Sequence, residues 1–334
     1  MNQLVSILIP FKNTELFIPE CIASIQGQTY SKWEVIAVDD HSTDNSRQIL
    51  ESIADKDPRI KVFSNTGNGI IMAMRTAHAV SSGYYVTRMD SDDVMKPEKI
   101  QSMVSALQKS GPGKIALGKV RYFSSKGISN GYKRYEVWLN NLTHSGINFD
   151  ERYKECVIPS PCWMLHREDL AKCGAFNEDR YPEDYDLAFR MFASGLTPLP
   201  CEEVLHMWRD YDTRTSRTSE HYAQNYFLDL KVFYFLELDY DANRPLVIWG
   251  AGTKGKTVAK LFGEKKVPFY WVCDNPNKIG KEIYGHILLS FTQIGKMRKP
   301  QSIIAVANAE AQKQIRSFLE EHSQKDMTDF YFFC

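Results

Sequence analysis

The sequence lacks three features that would place it in a specialised class of proteins. Its 41 basic residues balance its 41 acidic residues, so no overall charge favours nucleic acid or an anionic membrane. No apolar run approaches the roughly 20 residues that a membrane span needs, and no basic segment precedes the short apolar run at the N-terminus, as a signal peptide would require. We therefore expect a cytoplasmic protein that binds no nucleic acid and associates at most peripherally with the inner face of the membrane.

Cysteine is present but forms no framework. The seven cysteines include no C-x-x-C pair and no even set of spacings, which indicates reduced, buried thiols rather than disulfides. At 334 residues the chain is long enough for two domains with sizeable cores. We therefore expect an ordinary globular protein that needs no covalent cross-links.

The first ninety residues alternate between apolar strands and helices. Strands are predicted at 4–9, 34–38, 60–64 and 84–89, and helices at 15–28, around 49–53 and up to 79. Unbroken apolar strands that alternate with helices indicate right-handed βαβ units and a parallel sheet with both faces covered. The predicted class is α/β.

Polar residues gather where these predicted strands end. Residues 10–13 follow the first strand, Asp39 and Asp40 the second, and Asp90, Asp92 and Asp93 the fourth. Ligands of open α/β sheets lie beyond the carboxyl ends of the strands. Crowded carboxylates repel one another, and a hard ion such as Mn²⁺ or Mg²⁺ would relieve that repulsion. The alternative is that these aspartates cap helices.

Four ordered motifs resemble those of family 2 glycosyltransferases and cover about the first 220 residues. They are Val5-Ser6-Ile7-Leu8-Ile9-Pro10-Phe11-Lys12-Asn13, Ser24-Ile25-Gln26-Gly27-Gln28-Thr29, Val38-Asp39-Asp40-His41-Ser42-Thr43-Asp44 and Arg88-Met89-Asp90-Ser91-Asp92-Asp93. The resemblance implies a GT-A fold, a nucleotide-sugar donor and inversion at the anomeric centre. It also implies that Asp40 holds the nucleoside, and that residues 90–93 form the D-x-D element for the ribose and the metal-diphosphate.

The resemblance further assigns a metal site and a donor site. Asp92 and Asp93 are the predicted metal ligands, with Asp92 the preferred one. The predicted nucleotide-sugar site comprises Pro10, Lys12, Asn13, Asp39, Asp40, Asp90, Asp92, Arg209, Arg214 and Arg217. Two departures from the family pattern stand out: Lys12 occupies a position that is usually Tyr, so an aromatic partner for the base is absent, and Met74-Arg75 replaces the usual Arg-Asn pair.

Two predictions concern the middle of the chain. Asn130-Gly131 is a hairpin turn signal between 114–124 and 132–139, so a β-ribbon is predicted there. Pro182 opens a helix and places Glu183 and Asp184 in its first turn, where the helix dipole favours ionised carboxylates. Capping alone would explain such an acidic turn. The family resemblance implies instead that Asp184 is the catalytic base, with Glu183 beside it.

Three arginines lie within nine positions at 209, 214 and 217. Guanidinium groups match phosphate oxygens, so this segment suits a diphosphate or an acceptor, and the alternative is a structural role. The segment resembles the W-R-D and S-R-T motifs of a bacterial family 2 subgroup. The Q-x-x-R-W motif of processive enzymes is missing. In this respect the chain resembles an enzyme that adds a single sugar.

The pattern restarts after a linker at 239–245. A strand at 246–249 leads into Gly250, Gly252 and Gly255 in G-x-G-x-x-G spacing, and Asp274 follows the next strand. Further strands are predicted at 303–306 and 329–333. We predict a GT-A domain over 1–240 and a Rossmann-like domain over 241–334 that binds NAD or another nucleotide, unless its glycines serve only helix packing.

The leading hypothesis is an inverting, metal-dependent transferase. It would move one sugar from a UDP-sugar to a hydroxyl of a cell-surface or lipid-linked glycan, with Asp184 as the base. A first alternative is an NAD-dependent oxidoreductase or epimerase centred on residues 250–255, although no Tyr-x-x-x-Lys pair follows them. A second alternative is a non-catalytic module that binds nucleotide sugars.

Overall fold

The computed structural model describes residues 3–218 and 227–334. These form two compact units, one of residues 3–149 and 157–218, the other of residues 150–156 and 227–334. The sequence-based boundary at 240 differs from this grouping, because the structure assigns both 150–156 and the helix Leu228–Leu238 to the second unit. The apolar, aromatic-rich pattern of residues 221–238 predicts an amphipathic helix, and the first part of that segment lies outside the described residues.

The first unit begins with the predicted alternation of strands and helices. Its strands are β1 Val5–Phe11, β2 Trp33–Asp39, β3 Ile60–Ser64, β4 Tyr85–Arg88, β5 Val94–Met95, β6 Lys114–Phe123, β7 Trp163–His166 and β8 Thr197–Arg209. Its helices are α1 Ile18–Gln26, α2 Ser46–Ala54, α3 Gly69–Val80, α4 Lys99–Ser110, α5 Asn130–Ser145, α6 Arg167–Lys172, α7 Glu183–Ala193 and α8 Thr215–Thr218.

An eight-stranded sheet runs through this unit in the order β3-β2-β1-β4-β7-β6-β8-β5. The four predicted strands β1 to β4 are parallel, whereas β7 is antiparallel to both β4 and β6, so the whole sheet is mixed. Every residue of β1 and β2 is buried, which explains their unbroken apolar sequences. The α/β class is confirmed.

The register of the parallel strands brings their carboxyl ends to one edge. Phe11 pairs with Asp39, and Leu8 pairs with Arg88. On the far side of the sheet, β8 runs parallel to β6 and antiparallel to β5, with Met95 opposite His206. Residues that follow β1, β2 and β4 therefore lie at one rim, and the end of β8 lies beside the residues that follow β4.

The predicted β-ribbon around Asn130-Gly131 is wrong. Residues from Asn130 onward form α5, and β6 pairs with β7 and β8 instead. Ser129 caps this helix by accepting a hydrogen bond from the backbone N–H of Tyr132. Tyr132 then packs on Tyr122 of β6, with ring centroids 5.0 Å apart. This tertiary packing and the serine cap outweigh the local turn preference of Asn-Gly.

The second unit contains an all-parallel five-stranded sheet. Its elements are α9 Leu228–Leu238, β9 Leu246–Trp249, α10 Thr253–Glu264, β10 Tyr270–Cys273, the hairpin β11 Glu282–Ile283 with β12 His286–Ile287, β13 Leu289–Ser290, β14 Gln301–Ile304, α11 Ala309–Glu321 and β15 Phe330–Phe332. The strand order is β13-β10-β9-β14-β15. This order matches the first five strands of doubly wound nucleotide-binding sheets.

Two further observations concern the described residues. No helix within 3–218 or 227–334 is both long enough and apolar enough to cross a membrane. Every cysteine of the chain is a free thiol, and all except Cys334 are buried, as the lack of a spacing framework predicts.

Candidate functional site

The rim of the first sheet begins with a buried pair of carboxylates. Asp40 follows β2, and its Oδ1 accepts hydrogen bonds from Asn65 Nδ2 at 2.7 Å and from the backbone N–H of Gly69 at 2.8 Å. Its Oδ2 lies 3.5 Å from Lys12 Nζ. Asp39 Oδ1 accepts from the backbone N–H of Ser42 at 2.9 Å. Asp40 is therefore fixed at the strand end with one oxygen facing the half-exposed Lys12 side chain.

The other predicted residues near Asp40 make contacts within the protein, chiefly between loops. Asn13 has a left-handed φ of 52° and accepts the backbone N–H of Thr43 at 2.8 Å, which ties the β1 end to the β2 end. Pro10 lies inside β1, level with Val38. Arg75, one of the departures from the family pattern, donates to the carbonyls of Phe176 and Asn177. It therefore holds the loop that precedes α7.

Arg88 links two acidic groups that are far apart in sequence. It is the last residue of β4 and is buried. Its Nε donates to Asp90 Oδ1 at 2.7 Å, and its Nη1 donates to Glu183 Oε1 at 2.8 Å. Although burial alone would raise it, the charge and hydrogen bond of Arg88 hold the pKa of Asp90 below its usual value. The rim of the sheet and the start of α7 are thus joined through one guanidinium.

Asp92, the preferred metal ligand of the sequence prediction, lies close to other acidic side chains. Burial and the nearby Asp93 and Asp90 raise the pKa of Asp92 to about 7, so its ionised form needs a positive partner. Tyr211 donates its hydroxyl to Asp92 Oδ2 at 2.9 Å. Within the described residues, Asp92 Oδ1 has no protein donor, and no group of three or more acidic, His or Cys side chains is arranged as a ready-made metal site. A hard cation would share Asp92 with a substrate oxygen.

Asp93 does not fit the predicted role. It is 1% exposed, its Oδ1 accepts the backbone N–H of Arg209 at 2.7 Å, and its Oδ2 lies 2.9 Å from His206 Nε2. His206 Nδ1 in turn lies 3.2 Å from Lys99 Nζ. Burial raises the pKa of Asp93 to about 8 and lowers the pKa of His206, so both shifts favour uncharged forms. Both carboxylate oxygens of Asp93 are engaged in this buried chain, which corrects its assignment to the metal.

The three arginines that the sequence grouped together have three different roles. Arg209 Nε donates to the carbonyl of Asp92 at 2.6 Å, and its guanidinium lies between the rings of Phe17 and Phe123. Arg214 lies over the Trp208 ring at 5.2 Å, where its charge opposes the rise in the pKa of Asp92. Only these two contribute directly to the environment of the rim.

Arg217 is already paired within the protein. Its Nε and Nη2 donate to the two oxygens of Asp210 at 2.9 and 2.7 Å, a bidentate ion pair. The W-R-D aspartate and the S-R-T arginine therefore bind each other. In the structure Arg217 therefore binds another side chain of the protein, whereas the prediction places it on the donor.

The predicted base lies at the N-terminus of α7. Asp184 Oδ1 accepts the backbone N–H of Tyr185 at 2.8 Å. Burial raises the pKa of Asp184, although Arg88 and the Tyr185 N–H oppose the shift. Burial and Asp184 also raise the pKa of Glu183 to about 7. Glu183 Oε2 is buried and has no hydrogen-bond partner among the described residues. A carboxylate with a raised pKa is suited to accept a proton near neutral pH.

Comparison with known proteins identifies the family of this site. Residues 6–174, about half of the chain, match the family described as Glycosyl transferase family 2. This chain belongs to glycosyl transferase family 2. The transferase is 32% identical over 230 residues to an uncharacterized glycosyltransferase of Haemophilus influenzae, and the match spans 65% of this chain and 69% of that protein.

Two further comparisons bear on donor and metal. The transferase is 32% identical over 174 residues to the Escherichia coli UDP-Glc:alpha-D-GlcNAc-diphosphoundecaprenol beta-1,3-glucosyltransferase WfgD, which covers 50% of this chain and 61% of that protein. It also resembles the mannosyltransferase PcManGT of Pyrobaculum calidifontis, solved with GDP-Man and Mn²⁺. That match has a TM-score of 0.50 and 19% identity over 71% of this chain and 64% of that chain. The first unit has the GT-A fold.

The glycine motif of the second unit forms the turn between β9 and α10. Gly250 has a φ of 123°, and a Cβ on Gly255 would lie 1.9 Å from the Gly250 carbonyl oxygen. A Cβ on Gly252 would meet no atom within 4 Å. Asp274 follows β10 and is exposed. Gly255 is therefore required for close packing of the helix on the turn, whereas Gly252 borders open space, and nucleotide binding here stays a prediction.

Some residues that contact the carboxylates of the first unit were not predicted. Arg88 stands in the quoted D-x-D motif, yet its partner Glu183 lies 95 positions away and no local pattern shows the pairing. Tyr211 directly follows the quoted W-R-D segment, and its contact with Asp92 spans 119 positions. His206 lies just before that segment and pairs inward with Asp93. The W-R-D motif indicated the segment that lies beside these carboxylates, but only the fold shows which residue contacts Asp92 and which contacts Asp93.

Proposed function

We propose that this protein is an inverting, metal-dependent glycosyltransferase that moves a single sugar from a UDP-sugar to a hydroxyl of a cell-surface or lipid-linked glycan. The observation that carries the proposal is the arrangement around Arg88, which joins Asp90 of the donor rim to the acidic start of α7. Arg88 and Glu183, which are 95 positions apart in sequence, thereby bring the donor and base residues into one cluster.

The residues divide the work of the transfer step. Asp40 and Asp90 bind the nucleoside and ribose at the carboxyl edge of the sheet, as the resemblance of their motifs implies. Asp184 accepts the proton of the acceptor hydroxyl, because a neutral hydroxyl is a poor nucleophile. Arg214 places positive charge beside Asp92, where the diphosphate develops charge as it leaves. Inversion follows from a single displacement by the acceptor oxygen.

Of the two predicted metal ligands, only Asp92 is suited to hold a divalent cation at this site. The comparison enzyme PcManGT was solved with Mn²⁺, which supports the use of such an ion in this fold. Mn²⁺ or Mg²⁺ held by Asp92 would stabilise the negative charge of the departing diphosphate. Tyr211 and Arg209 would keep the Asp92 carboxylate and backbone in position.

The name of the relative WfgD supports the choice of donor and acceptor, since that enzyme uses UDP-Glc and a lipid-linked sugar. We further propose that the second unit binds a nucleotide at Gly252, where the turn is open. Membrane association would follow from a lipid-linked acceptor.

The test of this function is release of the nucleotide from a panel of UDP- and GDP-sugars, with and without Mn²⁺. We expect metal-dependent release from at least one UDP-sugar, faster when a glycan acceptor is added. A change in nicotinamide absorbance without sugar release would favour the oxidoreductase alternative. Tight donor binding without any turnover across donors and acceptors would favour a non-catalytic module.

A further inference from the structure

Arg88 lies between Asp90 at the rim of the sheet and Glu183 at the start of α7. Its side chain is 9% exposed, and its two partners, Asp90 and Glu183, are 19% and 8% exposed. Both contacts are charge-assisted hydrogen bonds shorter than 2.9 Å. Breaking a buried pair leaves an uncompensated charge, so this geometry strongly favours keeping both bonds.

Glu183 and Asp184 differ in the partners and the burial of their carboxylate oxygens. One oxygen of Glu183 is bound by Arg88, and the other is buried without a partner in the described part of the chain. One oxygen of Asp184 accepts the Tyr185 N–H, and Asp184 is less buried than Glu183. Two adjacent carboxylates therefore have separate environments, and Arg88 creates the difference.

We propose that Arg88 is a positioning residue for the transfer step: it anchors Glu183, and with it the first turn of α7, to Asp90, so that Asp184 rather than Glu183 meets the acceptor hydroxyl. This inference rests on the proposed transferase function with Asp184 as the base. Arg88 touches neither donor nor acceptor in this scheme. It acts through the two carboxylates that it holds.

Arg88 prepares a single displacement at the anomeric carbon. The acceptor O–H bond breaks, and its proton goes to the Asp184 carboxylate. The acceptor oxygen forms the new bond to the anomeric carbon, and the bond from that carbon to the diphosphate oxygen breaks, with its electron pair leaving on the diphosphate. Asp184 must start ionised, and Arg88 is the cation that opposes the rise in the pKa of Asp184 caused by burial and by Asp90. Asp184 in turn raises the pKa of its neighbours Glu183 and Tyr181.

Arg88→Gln and Arg88→Lys separate charge from geometry. Gln removes the charge, so the acid limb of the kcat profile should move to higher pH by about one unit, the lower end of what a neighbouring charge causes. Lys keeps the charge but cannot form both hydrogen bonds of the guanidinium. The acid limb of the Arg88→Lys profile should stay within a few tenths of a pH unit of the wild-type position, while kcat falls roughly tenfold with little change in donor KM.

The matched control is Arg190→Gln. Arg190 binds a carboxylate of the same helix, Asp186, at 2.7 Å, and also the carbonyl of Ala175 at 2.8 Å. Its loss should lower the melting temperature as a purely structural arginine would, and leave the acid limb where it is. Glu183→Gln tests the partner: its amide oxygen still accepts from Arg88, so kcat should stay within tenfold of wild type.

Several results would overturn the proposal. Equal acid limbs in Arg88→Gln and Arg190→Gln would show that Arg88 only supports the fold. Wild-type kcat in Arg88→Lys would show that bridging the two carboxylates is unnecessary. Loss of kcat in Glu183→Gln by two or more orders of magnitude would make Glu183 the base. Full activity of Asp184→Asn would instead refute the proposed function itself, which keeps the two failures distinguishable.

Discussion

Asp92→Asn is the change that most directly separates a metal ligand from a structural aspartate. The substitution removes one charge and almost no volume. Its amide oxygen still accepts the hydroxyl of Tyr211, which lies 2.9 Å from Asp92 Oδ2. The fold should therefore survive, and any effect should come from the charge.

The size of that effect follows from the crowded carboxylates. Burial, Asp93 and Asp90 raise the pKa of Asp92 from 3.8 to about 7. Each unit of pKa shift corresponds to about 1.4 kcal/mol, so the ionised form of Asp92 lowers the stability of the folded state by at most about 4 kcal/mol. A carboxyl whose pKa is raised on folding costs stability once the pH exceeds its unfolded value. The cost grows between about pH 4 and pH 7 and is constant above.

The assay is thermal unfolding at pH 5 and pH 8, each with and without Mn²⁺. Without metal, Asp92→Asn should be more stable than wild type at pH 8, with a smaller difference at pH 5. Mn²⁺ with a UDP-sugar should stabilise wild type at pH 8 and have little effect on the variant, because ligand binding to the folded state adds stability. Equal stabilisation of both proteins by Mn²⁺ and donor would refute the assignment of Asp92.

The remaining predictions concern an arginine and two glycines. Arg217→Gln should leave donor KM within about twofold, because its guanidinium already binds Asp210, and Asp210→Asn should match it in steady-state kinetics; a tenfold rise in KM for Arg217→Gln alone would restore the donor role. Gly255→Ala should lower the melting temperature, because its Cβ would lie 1.9 Å from the carbonyl oxygen of Gly250, whereas Gly252→Val should fold normally. In calorimetry of the full chain, Gly252→Val should abolish any second nucleotide binding; unchanged binding of a dinucleotide or sugar nucleotide would place that site elsewhere.

The parts of the fold that were predictable are those set by local pattern. The strands β1, β2 and β4 are buried, and helices lie between the strands β1 to β4, so periodicity and the right-handed crossover rule predict their parallel order. The positions of Asp40 and Asp90 follow from that order, because they come directly after strand ends. The start of α7 followed from Pro182 and the acidic pair after it.

What could not be predicted depends on contacts between distant segments. The helix α5 formed where Asn-Gly predicted a turn, since packing of Tyr132 on β6 decides the structure there. Residues 150–156 join the second unit through contacts such as Arg152 with Asp239, 87 positions away. Asp93 and Asp92 are neighbours with the same side chain, yet only the pairing with His206 shows that Asp93 turns inward.

The central claim is that Asp184 is the base of a sugar transfer from a nucleotide donor. The direct measurement is single-turnover transfer by wild type and Asp184→Asn, with donor affinity measured on the same proteins. We predict that turnover falls by roughly two to four orders of magnitude, the range for loss of a general base, while donor affinity changes less than about threefold. Retention of more than about a tenth of wild-type turnover by a folded, donor-binding Asp184→Asn protein would contradict the account.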